Sequence, residues 1–240
     1  MKTLFSTIVV LFALTSTFSQ TSELGVFLGG GVYNGDIDVT PSNFLQQTRP
    51  AYGIFGAYHF DGTWAARVQI YHSELYADER KYPSSNYRFD RGFSFHTPLT
   101  ELALIGEWSP IRLGNVYLYG FGGAALTNFT PTTNFNQTPS DGSVGNPAVV
   151  ADQLEQKNHT TLAIPIGGGV KWIMSSRFVL GAEVGGRKTF SDYIDGISQA
   201  ASPKSKDFYF FGGLNFSFLF GHNKNGNGFS YRGGVSCPHF

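Results

Sequence analysis

Between Asp207 and Phe220 the chain reads DFYFFGGLNFSFLF, and this alternation restricts the fold more than any other stretch. In an extended strand Phe208, Phe210, Gly212, Leu214, Phe216, Phe218 and Phe220 share one face. Tyr209, Phe211, Gly213, Asn215, Ser217 and Leu219 share the other. A strand of a water-soluble antiparallel sheet usually keeps one polar face. Here the even face is wholly apolar and rich in Phe, which suits contact with lipid. A lone strand in hydrocarbon would leave its N–H and C=O groups unpaired, so it requires neighbours that close a barrel.

Seven further segments alternate with the same period: Glu23–Tyr33, Ala51–Phe60, Thr63–Leu75, Phe93–Trp108, Val116–Leu126, Leu162–Met174 and Phe178–Thr189. Most exceed the ~9–11 residues that a tilted strand needs to cross a membrane. Their connections alternate in length. Asp61-Gly62, Ser109–Asn115 and Ser175–Arg177 are short, whereas Asn34–Pro50, Tyr76–Gly92, Thr127–Thr161 and Phe190–Lys206 are long. Outer-membrane barrels have short periplasmic turns and long extracellular loops. The expectation is an all-β, eight-stranded antiparallel transmembrane barrel in a Gram-negative outer membrane, with both termini periplasmic.

Composition supports this fold and removes one function class. Thirty Gly, twenty-three Phe and only 14% charged residues suit curved strands with aromatic belts, and zero formal net charge argues against a basic nucleic-acid binder. At the N-terminus Lys2, the apolar run Leu4–Leu14 and the small residues of Thr15–Ser19 have the order of an export signal. The domain reading is a signal peptide over 1–19, a barrel over 20–220 and a periplasmic tail over 221–240. The single cysteine, Cys237, excludes an intramolecular disulfide and leaves a free thiol or a bond to another chain.

Side-chain parity sorts the strands into an outside and an inside. Trp64, Trp108 and Trp172 each lie beside a short turn and share the apolar parity of their strands, as a periplasmic aromatic girdle would. On the opposite parity stand Arg67, Glu101, Glu107, Lys171, Glu183 and Arg187. An eight-stranded barrel is just wide enough for side chains to fill, and buried charges require partners. A barrel-interior charge network in place of a pore follows. Pro98 and Pro165 interrupt ladders that have no free edge, so bulges are expected there, with a parity change before Glu101.

Chemical motifs are sparse. Gly120-x-Gly122-x-x-Ala125 matches part of a dinucleotide fingerprint but leads into a loop, not a helix. Glu101 and Glu107 on one strand stand ~20 Å apart, too far for a hydrolytic pair. His72-Ser73-Glu74 is the one His/Ser/acid cluster, and adjacent residues on a strand face opposite ways. The His and Cys residues lack metal-ligand spacing. No catalytic residue, cofactor, metal, nucleic acid or small-molecule substrate is expected. Asn128, Asn136 and Asn158 each open an Asn-x-Thr sequon.

The segment EVGGRKTFSDYIDGIS, Glu183–Ser198, resembles the strand-loop signature of PorG-like outer-membrane barrels of the Bacteroidetes type IX secretion system. ELGVFLGGGVYNGDI at Glu23–Ile37, AYGIFGAYHF at Ala51–Phe60 and IPIGGGVKW at Ile164–Trp172 fit in order. The resemblance marks Asp192, Tyr193, Asp195 and Ser198 as a family signature loop. It implies a non-catalytic barrel that anchors a periplasmic ring of a PorK-like lipoprotein and a PorN-like partner, for secretion and, in gliding species, motility. The tail, ending Cys237, Pro238, His239 and Phe240, becomes the expected partner-binding element, with Cys237 the site of an intermolecular disulfide to the PorK-like protein. The insert Asn223–Gly228 departs from that pattern. Two other readings stand beside this one: an adhesion barrel binding through its long loops, and a lipid-modifying barrel enzyme using His72.

Overall fold

A computed structural model describes residues 21–35, 44–60, 62–81, 92–135, 147–198 and 207–220. The expected export signal and tail, with Cys237, Pro238, His239 and Phe240, lie outside the described residues, as does Asn136. The strands are β1 (Thr21–Asn34), β2 (Arg49–His59), β3 (Trp64–Asp78), β4 (Ser94–Leu113), β5 (Val116–Phe129), β6 (Thr132–Asn134), β7 (His159–Ile173), β8 (Phe178–Thr189) and β9 (Phe208–Phe220). On the long-loop side lie α1 (Phe44–Gln47), a 3-10 turn (Glu79–Lys81) and α2 (Pro147–Leu154).

Every pairing is antiparallel, and the ring closes where β9 meets β1 and β3 meets β4. The result is a closed eight-stranded barrel, with β6 a short addition to the upper end of β4. Register fixes its shape. Paired residues lead from Trp64 through Trp108, Gly120, Gly168, Val184, Gly212 and Gly30 to Pro50. Ala51 pairs with Ser73, so Pro50 arrives beside Glu74, and the circuit has climbed from position 64 to position 74 of β3. With neighbouring strands 4.7–4.9 Å apart and ~3.3 Å of rise per residue, this stagger over eight strands tilts each strand by about 40°.

The tilt brings the outward apolar residues into one belt. Trp64, Trp108 and Trp172 are all about half exposed, and on this geometry they stand within ~4 Å of one level. Phe60, Phe178 and Phe220 complete the ring at that rim. The run Leu162–Trp172 on β7 rises ~25 Å, the height of the apolar band of a membrane barrel. Its upper edge on β3–β7 is a row of polar residues paired in register, His72 with Thr100, Thr100 with Asn128, and Asn128 with Thr160.

The prolines behave differently from expectation. Pairing of β3 with β4 runs without a register shift from Ser94 to Trp108, and Phe93, Phe95, Thr97, Leu99 and Glu101 all face inward, so no bulge or parity change occurs at Pro98. The Pro98 carbonyl accepts from Thr130 N, but without an N–H Pro98 cannot return the reciprocal bond, and the ladder on that side is interrupted between β5 and β6, which pair with β4 in one register. Around Pro165 the β5–β7 ladder opens between Gly122–Ile166 and Ala125–Ala163 but keeps its register. The bulge lies between Trp108 and Ile111, around Pro110. Ser109–Leu113 therefore belongs to β4, and the turn to β5 is only Gly114-Asn115, with Gly114 at φ 63°.

One pair of glycines is fixed by close approach. Gly29 and Gly213 face each other across the β1–β9 seam, and a Cβ on Gly213 would lie 2.4 Å from the Leu28 carbonyl oxygen and 2.6 Å from Gly29 Cα. Backbone atoms there can yield only by opening the strand pair that closes the barrel. Gly213→Val is expected to cost about 1–3 kcal/mol. Guanidinium unfolding in lipid vesicles measures it, and an unchanged midpoint would remove the seam argument.

Candidate functional site

The inward face of every strand contributes to a lumen packed in layers. Nearest the Trp rim, Lys171 on β7 meets Glu107 on β4 at 2.6 Å and Glu23 on β1 at 3.2 Å. Glu23 also pairs with His59 Nε2 at 2.8 Å and accepts from the Ser217 hydroxyl at 2.6 Å. Above this, Arg67 reaches Glu107 at 3.2 Å and Glu183 at 2.8 Å, tying β3 to its neighbour β4 and to β8 across the barrel. Glu183 accepts further bonds from Tyr71, Tyr119 and the Asn215 amide. The Arg67 guanidinium also lies over the rings of Phe55 and Phe121, which shield it from water.

A layer of aromatic rings follows, with Phe27 stacked on Tyr71 at 4.5 Å and Phe211 beside it. Then comes a second charged layer. Arg187 lies 3.4 Å from Glu101, which accepts from Tyr209 at 2.6 Å and from Gln69 at 3.3 Å. Arg67, Glu101, Glu107, Lys171, Glu183 and Arg187 thus fall into two clusters, with Arg187–Glu101 separate from the other four.

The long-loop mouth is stopped by the chain itself. The segment 191–198 turns into the barrel, burying Ile194 and Ile197 among Tyr33, Phe95, Phe129 and Tyr209. Tyr33 OH contacts Asp195 Oδ2 at 2.8 Å and Asp207 Oδ1 at 2.5 Å, and Asp207 Oδ2 accepts from Ile194 N at 2.8 Å. Thr97 donates to the Ile194 carbonyl at 2.7 Å, and Thr133 donates to that of Asp195. Ser198 contacts Asp192 and Asp152, the latter on α2, while Tyr193 OH donates to the Asp152 carbonyl. Burial, with Asp152, Glu155 and Asp195 nearby, pushes the Tyr193 hydroxyl up from its ordinary value, so it stays a neutral donor.

The signature loop residues Asp192, Tyr193, Asp195 and Ser198 therefore build a plug, where the linear pattern shows only a long loop. Sequence reasoning also passed over Glu23, His59, Tyr33, Tyr71, Tyr119, Tyr209, Asn215 and Asp207. For Glu23 a signal existed: it has the opposite parity to Leu24, Val26 and Leu28, all exposed. His72 and Glu74 face outward while Ser73 faces the lumen and donates to the Pro50 carbonyl, so the three do not converge. Asn128 and Asn158 bind each other through both amides, at 2.8 and 2.9 Å. Among the described residues no group of three or more His, Cys, Asp or Glu is placed to hold a metal.

A closed antiparallel barrel with an apolar belt, an aromatic rim and a filled lumen defines the class of transmembrane β-barrels. Residues 2–226 match the model of a family described as a domain of unknown function, DUF6089, and the chain belongs to that family. No curated protein matches the sequence. Among solved structures, Neisserial surface protein A aligns at TM-score 0.48 and 9% identity, covering 85% of this chain and 98% of that one. The attachment invasion locus protein Ail of Yersinia pestis, in complex with the heparin analogue sucrose octasulfate, aligns at TM-score 0.46 and 11% identity, covering 85% and 100%. A major outer membrane protein from Thermus thermophilus aligns at TM-score 0.46 and 10% identity, covering 85% and 100%.

Proposed function

We propose that this protein is a non-catalytic outer-membrane barrel of a Gram-negative bacterium, with short turns and both termini on the periplasmic side. In this reading it anchors the periplasmic ring of PorK-like and PorN-like proteins in a type IX secretion assembly. The observation that carries the proposal is the filled lumen: among the described residues, charged layers, an aromatic layer and a plug occupy the barrel. Such a barrel acts through its end surfaces and its lipid contacts. The resemblance at Glu183–Ser198 supports the particular machinery, and the chain leaves β9 at Phe220 on the same rim as the short turns.

Truncation after Phe220 tests this role. The expected result is a barrel that still inserts and migrates as a compact species in unheated gels, with ring proteins lost from the affinity-purified complex and cargo secretion abolished. Normal secretion by the truncated barrel would remove the anchoring role and favour the long-loop face as the working surface. Cys237→Ser in the same assay, with non-reducing gels, tests whether the thiol joins the barrel to the ring.

A further inference from the structure

The outer wall is not uniform around the barrel. Each step along a register row from β3 round to β9 climbs ~3 Å and each residue along a strand ~2.5 Å, which places His72 level with Phe210 and Glu74 level with Phe208. At that height β9 presents exposed phenylalanines to lipid. The β3–β4 wall instead presents His72 hydrogen-bonded to Thr100 at 3.0 Å, and the half-exposed pair Glu74–His96 at 3.0 Å. These polar groups stand where the apolar band ends, at the level of the headgroups. Beside them two cations share one aromatic ring, that of Tyr76, which pairs in register with His96. Arg49 Cζ lies 4.2 Å and Lys81 Nζ 4.9 Å from the centroid of Tyr76. Below them the wall is apolar again, with Ile54, Val68, Ile70 and Leu102 exposed.

We propose that the outer wall of β2–β4 binds the phosphorylated sugar headgroup of a saccharolipid of the outer leaflet, of the lipid A type. This inference rests on the membrane reading above. Phosphate would lie against Arg49 and Lys81, which suit a bidentate and a point-charge contact respectively. Sugar hydroxyls meet His72, Thr100, Glu74 and His96, and acyl chains lie along the aliphatic residues beneath. Nearby, Glu74 pairs with His96, Asp78 accepts from the Tyr76 hydroxyl, and Lys81 also donates to the Gln46 carbonyl at 3.5 Å.

Native mass spectrometry of the detergent-solubilised full-length protein tests this with diphosphorylated lipid A as the probe. The wild type is expected to retain one lipid A, and Arg49→Glu with Lys81→Glu together to bind it about tenfold more weakly. Lipid A stripped of its phosphates should bind the wild type with a similar loss, and phosphatidylglycerol should not replace it. Equal retention by the double variant overturns the proposal. So does stabilisation by inorganic phosphate alone, which would identify a soluble-anion site. Compact migration of the double variant in unheated gels and its insertion into vesicles separate loss of this site from failure of the membrane reading.

Discussion

Arg67→Met is expected to be the most damaging single substitution in the barrel, costing about 3–5 kcal/mol. Arg67 is fully buried and is the one cation that contacts both Glu107 and Glu183 among the described residues. Its removal leaves Glu183 with only neutral donors, Tyr71, Tyr119 and Asn215, and leaves Glu107 dependent on Lys171 alone. A carboxylate held in a dry lumen without a cation loses most of what offset its desolvation. Guanidinium unfolding in lipid vesicles, followed by loss of the fast-migrating band in unheated gels, measures the effect. Arg67→Met with Glu107→Gln and Glu183→Gln removes the stranded charges together and is expected to recover more than half of the loss. An Arg67→Met barrel as stable as the wild type would show that the lumen does not depend on this ion pair.

Much of this arrangement was legible because a barrel strand carries two messages at once. On β3, Trp64, Ala66, Val68 and Ile70 alternate with Arg67 and Gln69, and that pattern assigns both the lipid face and the lumen without a template. Where charge and aliphatic residues alternate cleanly, as at Glu101–Trp108, the inside residues could be named. Where the inside is aromatic the message weakens: Phe27, Tyr71, Tyr119 and Tyr209 look like lipid-facing residues by type, and only their parity along the strand places them inward. Pairing among the charges was not legible, because Arg67 and Glu183 lie on strands that meet only across the lumen. Pro98 misled for a physical reason. A proline removes one ladder bond without requiring an extra residue, so at Pro98 the pairing toward β5 and β6 is interrupted while the register and the parity stay as they were. The plug was hidden most deeply. Asp192, Tyr193, Asp195 and Ser198 read as a polar loop, and nothing local says that Tyr33, Thr97, Thr133 and Asp207 will surround them.

Ile194→Lys is expected to expel the plug while leaving the barrel closed. Ile194 is fully buried, its N–H donates to Asp207 and its carbonyl accepts from Thr97. A lysine there places an ammonium among Tyr33, Phe95, Phe129 and Phe211, and the least costly response is for the segment 191–198 to swing into water. Amide hydrogen exchange at residues 194 and 197 should accelerate about a hundredfold, while amides of β3, β4 and β8 keep their protection. Trypsin should cut at the new lysine in the native barrel. Planar-bilayer conductance should remain at baseline, because Arg187–Glu101, the Phe27–Tyr71–Phe211 layer and Arg67–Glu183 still stand below the mouth. Ion conduction by Ile194→Lys would make the loop the principal seal and would reopen a transport role. Baseline conductance together with fast exchange would establish that the barrel is sealed by its own charged core, with the plug serving to shape the outer mouth.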